Sequence, residues 1–388
     1  MTYVGVLCNV DVSADPREQL SPSVVNRAYI LDELLAPADI RVFLYCPKDV
    51  TAGGEVPGFV LGQDAPAALR QPVPRVNANC SYSTRRLLRQ GMRYQPFKKW
   101  MQERKNDVYV PYEFSELVSN KLKASDMVRA WNPAVHPLTE EFDGSREQLE
   151  SYLGRSGVVF LKPRAGHKGN RIFVLRRQAR GHALNYYDSG QIRCFTGVSL
   201  DTIVALVDAA TGRDRYIVQE GIESLRCQEA VFDVRVVMVH DGQSWQSIFE
   251  TRLAPRGSDL SNVYQGGSIQ VPRDVLESAV GESESRAIEE RLHAISHGLA
   301  KHFESDFPDA LPEIGFDFVI DHERRPHVVE VNAKPGIAGI ASERKLFDWT
   351  EEERALHEMW TYPHTRRLAS FLRRKVEVPI QKAGDDAA

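Results

Sequence analysis

The sequence predicts a mixed α/β (α+β) protein, and three observations carry that expectation. The first hundred residues begin with an alternation of strand, helix and strand. From Tyr216 onward, apolar runs separated by turn residues dominate. Between those runs lies one long helix whose apolar residues recur every three or four positions.

The elements follow in order. "YVGVLCNV" is a buried-strand run, "SPSVVNRAYILDELL" carries a Ser cap and helical spacing, and "IRVFLYC" is a second strand. This predicts a small domain with a parallel sheet, residues 1–116, in which "GGEVPGF" and "QPVPRV" are loops. "SELVSNKLKASDMVRAW" reads as one helical segment. In "VVFLKPRAGHKGNRIFVLRR", Lys162 ends one strand and Arg171 begins the next. "RYIVQEGI", "AVFDVRVVMV" and "SWQSIFETRL" are strands. "RAIEERLHAISHGLAKHFES" is amphipathic through Ile288, Leu292, Ile295, Leu299 and Phe303. Its His293 and His297 stand at i, i+4, but no HExxH pattern accompanies them, so they read as a solvated or half-buried face. A last helix, broken near Pro363, precedes a disordered tail over 376–388.

Composition narrows the function. The chain has 388 residues, 42% apolar and 26% charged, which suits two or three globular domains. A net charge of −4 gives no nucleic-acid signature. The five scattered cysteines form no CxxC pair and read as reduced thiols of a cytoplasmic protein. No secretory leader and no apolar run near the length of a membrane span is visible, so no membrane partner is expected. Oligomeric state is not encoded legibly, and a homodimer is compatible with the pattern.

The segment "GFDFVIDHERRPHVVEVNAKPG" is the most informative. Two apolar runs flank a polar turn, which is a hairpin signal. With the turn at His322 to Arg325, Asp321 pairs with Pro326, Phe318 with Val329 and Phe316 with Val331. The same register sets Asp317 opposite Glu330, with Asn332 one step along. Opposed carboxylates repel, and a one-residue slip would turn the apolar set outward. A cation relieves the conflict, and two carboxylates with an amide suit Mg²⁺ or Mn²⁺ better than zinc. A solvated acidic face of an edge hairpin is the alternative reading.

Three weaker constellations accompany it. In "FLKPRAGHKGNRIFVL", Gly166 and Gly169 bracket a loop with Lys168, suited to phosphate oxygens, though GxxxxGK[ST] is missing. In "VFDVRVVMVHDGQSWQSIFETRLAP", Asp-Gly marks a hairpin. Pairing His240 with Gln243 puts Asp233, Arg235, Gln246, Glu250 and Arg252 on one face, either a salt-bridge ladder worth about 0–1 kcal/mol per pair or a floor for an anionic ligand. "YIVQEGI" can offer backbone groups to a purine edge.

Together these pieces, in this order, resemble the ATP-grasp superfamily: a helix lysine, KPxxGxxG between strands, a QE hinge, DxR, NxxxGG and D…ExNxxPG. More narrowly, "YIVQEGI", "FDVRVVMVHDGQSW" and "SNVYQGGSI" resemble the spore-coat-associated YheC/YheD type. "EVNAKPG" is similar to the tail motif of glutathione synthetase and ribosomal-protein glutamate ligases. The resemblance implies an ATP-grasp fold: an N-terminal Rossmann-like pre-ATP-grasp domain (1–116) and two ATP-grasp subdomains, 117–214 with the phosphate loop and 215–375 with the metal site.

It also implies roles. Lys121 and Lys162 hold ATP phosphates, with Lys123 competing for the first place. The loop from Gly166 through Lys168 to Gly169 closes over them. Gln219, Glu220 and Ile222 line the adenine hinge. Arg235 and Arg252 meet phosphate and the reacting carboxylate. Asn262, with Gly266 and Gly267, shapes the acyl-phosphate site. Asp317, Glu330 and Asn332 bind Mg²⁺. The sequence departs from the common pattern at His167, where a small residue is usual. The implied activity is ATP-dependent joining of a small-molecule carboxylate and an amine, an amino acid or short peptide, through an acyl phosphate. A non-catalytic ATP-binding protein of the spore-coat-associated type and a small-molecule kinase are the alternatives.

Overall fold

The computed structural model describes residues 1–62, 65–79, 91, 94–166, 169–211, 215–263, 266–335, 350–356 and 362–377. Three six-stranded sheets organise them. The tail expected to be disordered lies almost wholly outside the described residues, as do Cys80 and Lys168.

The first sheet holds β1 (Thr2–Leu7), β2 (Ile40–Tyr45), β3 (Glu55–Val60), β4 (Ala67–Pro72), β5 (Val76–Ala78) and β6 (Asp107–Tyr109), in the order β4-β3-β2-β1-β5-β6. The expected parallel part is β2-β1-β5-β6. The expected loop "GGEVPGF" is instead largely β3, which with β4 forms an antiparallel extension of that sheet, whereas "QPVPRV" holds the end of β4, a loop over residues 73–75 and the first residue of β5. The β2 ladder ends at Tyr45↔Gly58, so Pro57 lies just past it and its missing N–H disturbs no bond to β2. Helix Pro22–Leu35 lays Val25, Ala28, Leu31 and Leu35 on this sheet, and helix Tyr362–Glu377 returns from the other end of the chain to add Leu368, Phe371 and Leu372.

The second sheet is antiparallel throughout: β7 (Thr139–Glu141), β8 (Val158–Pro163), β9 (Ile172–Arg177), β10 (His182–Asp188), β11 (Gln191–Val198) and β12 (Tyr216–Glu220), ordered β11-β10-β9-β8-β12-β7. Tyr216–Glu220 belongs here although it lies beyond residue 214. Strand alternation divides β8 cleanly. Val159 and Leu161 pack under helices Arg146–Ser156 and Leu200–Thr211, while Phe160 and Lys162 face a cleft.

The third sheet contains β13 (Arg226–Cys227), β14 (Ala230–His240), β15 (Trp245–Leu253), β16 (Ser268–Gln270), β17 (Glu313–Ile320) and β18 (Pro326–Asn332), ordered β16-β15-β14-β17-β18 with β13 beside β14. Helix Glu282–Asp306 buries Ile288, Leu292, Leu299 and Phe303 against Val234, Val236, Met238, Phe316 and Phe318. Each such side chain contributes about 1.5–3 kcal/mol of burial, and Ile295 is only partly covered. The opposite face of this sheet carries the charges.

Two registers differ from expectation in instructive ways. His240 pairs with Trp245, not Gln243, so Asp233 faces Arg252 and Arg235 faces Glu250. The shift is two residues, which preserves every face assignment. In the second hairpin Phe316↔Val331 and Asp317↔Glu330 occur as expected, but beyond them the pairing slips to Phe318↔Val328 and Ile320↔Pro326. The extra residue is a β-bulge. It places Val328 in the core, fully buried, and leaves Val329 beside Glu330 on the cleft wall.

Candidate active site

One cavity of about 600 Å³ opens between the charged faces of the second and third sheets. Local sequence explains how each wall is made. The expected single helix over Ser115–Trp131 is two helices, Tyr112–Ser119 and Lys121–Trp131. Asn120 breaks them: its backbone is extended, its side chain caps the N–H of Lys123, and it bridges to Ala165. Lys121 therefore starts a helix at the cleft, bonded through its own N–H to the Arg164 carbonyl at 2.8 Å. Lys123 points to solvent. Lys121 lines the cavity and Lys123 does not.

Lys121 Nζ reaches the Gly166 carbonyl at 3.0 Å and Glu330 Oε1 at 2.9 Å. Lys162 Nζ donates to Gln219 Oε1 at 2.6 Å and lies 5.2 Å from the Phe160 ring centroid. Burial pushes the Lys162 ammonium down to about 8, opposed by the Glu330 carboxylate. Gln219 in turn donates to Thr139 Oγ1 at 2.9 Å, and His136 Nδ1 meets the Val328 carbonyl at 2.5 Å. Burial holds His136 down at about 4, so the ring is neutral at pH 7 and Nδ1–H is the donor. Buried polar bonds thus connect β12, β7 and the bulged strand β18. Gly221 ends β12 against β8: a Cβ there would sit 2.7 Å from the Val158 carbonyl.

On the third sheet, Arg235 grips Asp317 with two bonds of 2.7 and 2.9 Å. Arg252 grips Asp233 at 2.6 and 2.8 Å and also stands 3.0 Å from Asp317. Burial raises a carboxyl pKa, but the two guanidinium groups override it and hold Asp317 far below the usual carboxylate range. Burial likewise opposes ionisation of Glu330, and the Lys121 ammonium keeps that group low. Asn332 Nδ2 lies 3.4 Å from Asp317 Oδ2. The clustered oxygens of Asp317, Glu330 and Asn332 are hard donors that fit Mg²⁺ or Mn²⁺. The third donor is an amide: among the described residues no three His, Cys, Asp or Glu side chains gather to hold a metal.

A family model described as YheC/D like ATP-grasp matches residues 114–364. The chain belongs to that family. The Bacillus subtilis (strain 168) endospore coat-associated protein YheD is 22% identical over 239 residues, 60% of this chain and 51% of that protein. The chain therefore spans about half the length of this curated relative. The D-cycloserine synthetase DcsG superposes with a TM-score of 0.52 across 96% of this chain and 99% of its own, at 12% identity, which shows a shared ATP-grasp fold.

Within this ATP-grasp chain the cavity brings together Lys121, Lys162, Gly166, Gly169, Gln219, Glu220, Ile222, Arg235, Arg252, Asn262, Asp317, Glu330 and Asn332. Lys168 lies outside the described residues. Gly266 and Gly267, expected with Asn262 to shape the acyl-phosphate site, do not line the cavity with their amide N–H groups. Those N–H groups already donate to the carbonyls of Val263 at 3.0 Å and Asn262 at 3.1 Å. A Cβ on Gly267 would sit 2.4 Å from the Ser261 carbonyl, so the backbone passes too close there for a side chain.

Several cavity residues had no place in the sequence reading of the site. Phe160 stands two positions before Lys162, so strand alternation alone could have found it. Asp259 accepts from Arg176 at 2.5 Å, Asn185 at 2.8 Å and Tyr187 at 3.0 Å, clasping the loop after β15 onto β9 and β10. No local pattern announces a contact of that sequence separation. Outside the cavity, Cys8, Cys46, Cys194 and Cys227 take part in no disulfide among the described residues. His293 and His297 have ring centroids 6.0 Å apart, on the helix face expected to be solvated or half-buried. No helix among the described residues is long and apolar enough to cross a membrane.

Proposed function

We propose that the chain is an ATP-dependent carboxylate–amine ligase that forms an amide bond through an acyl phosphate. One observation carries the reading. A single cleft juxtaposes paired lysines, paired arginines and an opposed Asp317/Glu330 couple with Asn332, under an apolar patch that includes Phe160, Ile172 and Ile222. The patch with Gln219 and Glu220 suits an adenine ring, and the lysines suit its phosphates. Mg²⁺ held by Asp317, Glu330 and Asn332 would neutralise charge on the phosphate oxygens.

Phosphoryl transfer asks a protein for positioning and charge, not covalent help. Lys162 from β8 and Lys121 from the helix start beside it orient the phosphates. Arg235 meets the transferred group, and Arg252 meets the carboxylate that receives it. The resulting acyl phosphate is an electrophile that an amine attacks. Arg252 then faces the tetrahedral oxyanion in a buried setting, where a fixed charge acts more strongly than in water. Collapse of the tetrahedral adduct breaks the C–O bond to phosphate, releasing inorganic phosphate and the amine's proton as the amide forms. Small-molecule partners, a cytoplasmic setting and a first division at residue 116 belong to the same proposal, with the second division moved from 214 to beyond Glu220, where the second sheet ends.

The test is a screen for Mg²⁺-dependent ADP release across amino acids and short peptides, with hydroxylamine present. A hydroxamate with ADP supports the ligase. A stable phosphoester would indicate a kinase. The curated relative's coat association favours the second reading, a nucleotide-binding protein without turnover. Tight Mg-ATP binding with no ADP release across the screen is its signature.

A further inference from the structure

Asp233 has no assigned role, yet it organises the charged floor. It stands on β14 directly opposite Arg252 on β15 and is 8% exposed. Its Oδ1 accepts Arg252 Nε at 2.6 Å and its Oδ2 accepts Nη2 at 2.8 Å, the two-pronged geometry that fixes a guanidinium in plane and direction. Oδ2 also accepts the hydroxyl of Ser261, the residue before Asn262. Arg252 is thus shared: one carboxylate grips it twice, and Asp317 touches it once, at 3.0 Å.

The two carboxylates have different prospects. Asp317 lies among the candidate metal ligands, beside Glu330 and Asn332, and a cation there competes for its oxygens. Asp233 is not one of that set: its oxygens accept Arg252 and the Ser261 hydroxyl. We propose that Asp233 is a positioning residue: it keeps Arg252 aimed across the cleft when Asp317 turns to a divalent cation, and through Ser261 it ties the Asn262 segment to the same strand. The inference rests on the ligase reading for what Arg252 is aimed at, but the anchoring can be measured without turnover.

The experiment follows the Arg252 Nε–H resonance by NMR, identified by its loss in Arg252→Lys, alongside calorimetry with Mg²⁺ and a non-hydrolysable ATP analogue. In the wild type the resonance is expected to exchange slowly with water both before and after the analogue is added. In Asp233→Asn it is expected to exchange about tenfold faster or more, the ratio that loss of one charge-assisted bond implies. Binding heat for the analogue should persist in that variant. Ser261→Ala should leave the resonance protected while loosening the 258–263 segment in hydrogen exchange, and this milder variant decides the tether if Asp233→Asn does not fold. Fast exchange in the wild type on adding the analogue, or slow exchange in folded Asp233→Asn, overturns the proposal. Absence of binding heat in the wild type defeats the nucleotide reading instead, and the comparison without analogue still decides the anchor.

Discussion

Lys121 Nζ stands between the glycine loop and the candidate metal hairpin, 3.0 Å from the Gly166 carbonyl and 2.9 Å from Glu330 Oε1. The ammonium links two parts of the cleft that lie more than a hundred residues apart in the chain. It also lowers the proton affinity of Glu330 and so keeps a candidate ligand ionised.

Glu330→Gln removes that charge with little change of shape. Mg²⁺ affinity measured by calorimetry in the presence of ADP should fall by at least the roughly 10–100-fold seen when even an outer-shell group is lost. The melting temperature without metal should change little. Unaltered Mg²⁺ affinity would remove Glu330 from the ligand set.

Lys162 gives a pH signature with two opposite trends. Burial holds its pKa at about 8, below the ordinary 10.5. Nucleotide affinity should therefore decline as pH rises through 8, because the ammonium that meets the phosphates is lost. Stability should move the other way. Between pH 8 and 10.5 the unfolded chain holds the proton that the folded chain has released, so this group makes stability increase with pH. Lys162→Met should abolish both trends in parallel titrations and chemical denaturation curves. A variant that kept either would place its origin elsewhere.

Asn120 tests whether a helix cap sets the site. Asn120→Ala should destabilise the fold by about 0.5–2 kcal/mol, the usual range for a lost cap. It should also weaken nucleotide binding, since Lys121 is the first residue after the cap. A stability loss with unchanged affinity would mean that Lys121 is held by its neighbours alone.

These residues show what was readable in the sequence. Asp317 opposite Glu330 followed from strand periodicity, because burial of Phe316 and Val331 permits no other phase at that point. The bulge at Val329 did not follow: Val328 and Val329 are identical in chemistry, and only tertiary packing chooses which one faces the core. The polar face of β14 and β15 survived a wrong turn length, because a two-residue slip is invisible to a two-residue period. The hairpin of β10 and β11 went unread because β11 is an exposed edge in which Phe195 breaks the alternation of Ile192, Cys194 and Val198. The break at Asn120 was hidden by helical propensity on both sides. Contacts such as Asp259 with Arg176 depend on how two sheets face one another, which no local pattern encodes.

The last prediction concerns the anchor of the metal hairpin outside the cleft. Glu313 begins β17, four residues before Asp317, and is 2% exposed. Arg27, from the helix Pro22–Leu35, meets it at 2.6 Å, and His364, from the helix Tyr362–Glu377, meets its other oxygen at 2.6 Å. Arg27 also donates to the Pro335 carbonyl at 3.3 Å, beyond the end of β18. Three chain segments thus converge on one carboxylate. Burial alone would raise its pKa, but Arg27 and then His364 override it and pull the group down to about 2. A carboxyl with a depressed folded pKa contributes stability that is fully present above its unfolded value of 4.5 and is lost as pH falls toward 2. Burial lowers the His364 pKa below 6.5, which adds to the loss on acidification, since the unfolded ring takes up a proton before the folded one does. Acid unfolding should therefore steepen below pH 4.5 in the wild type. Glu313→Gln should flatten that region and, by leaving a buried Arg27 without its carboxylate, destabilise the fold at neutral pH by about 3–5 kcal/mol. An acid limb identical in the variant and the wild type would show that other carboxylates drive acid unfolding.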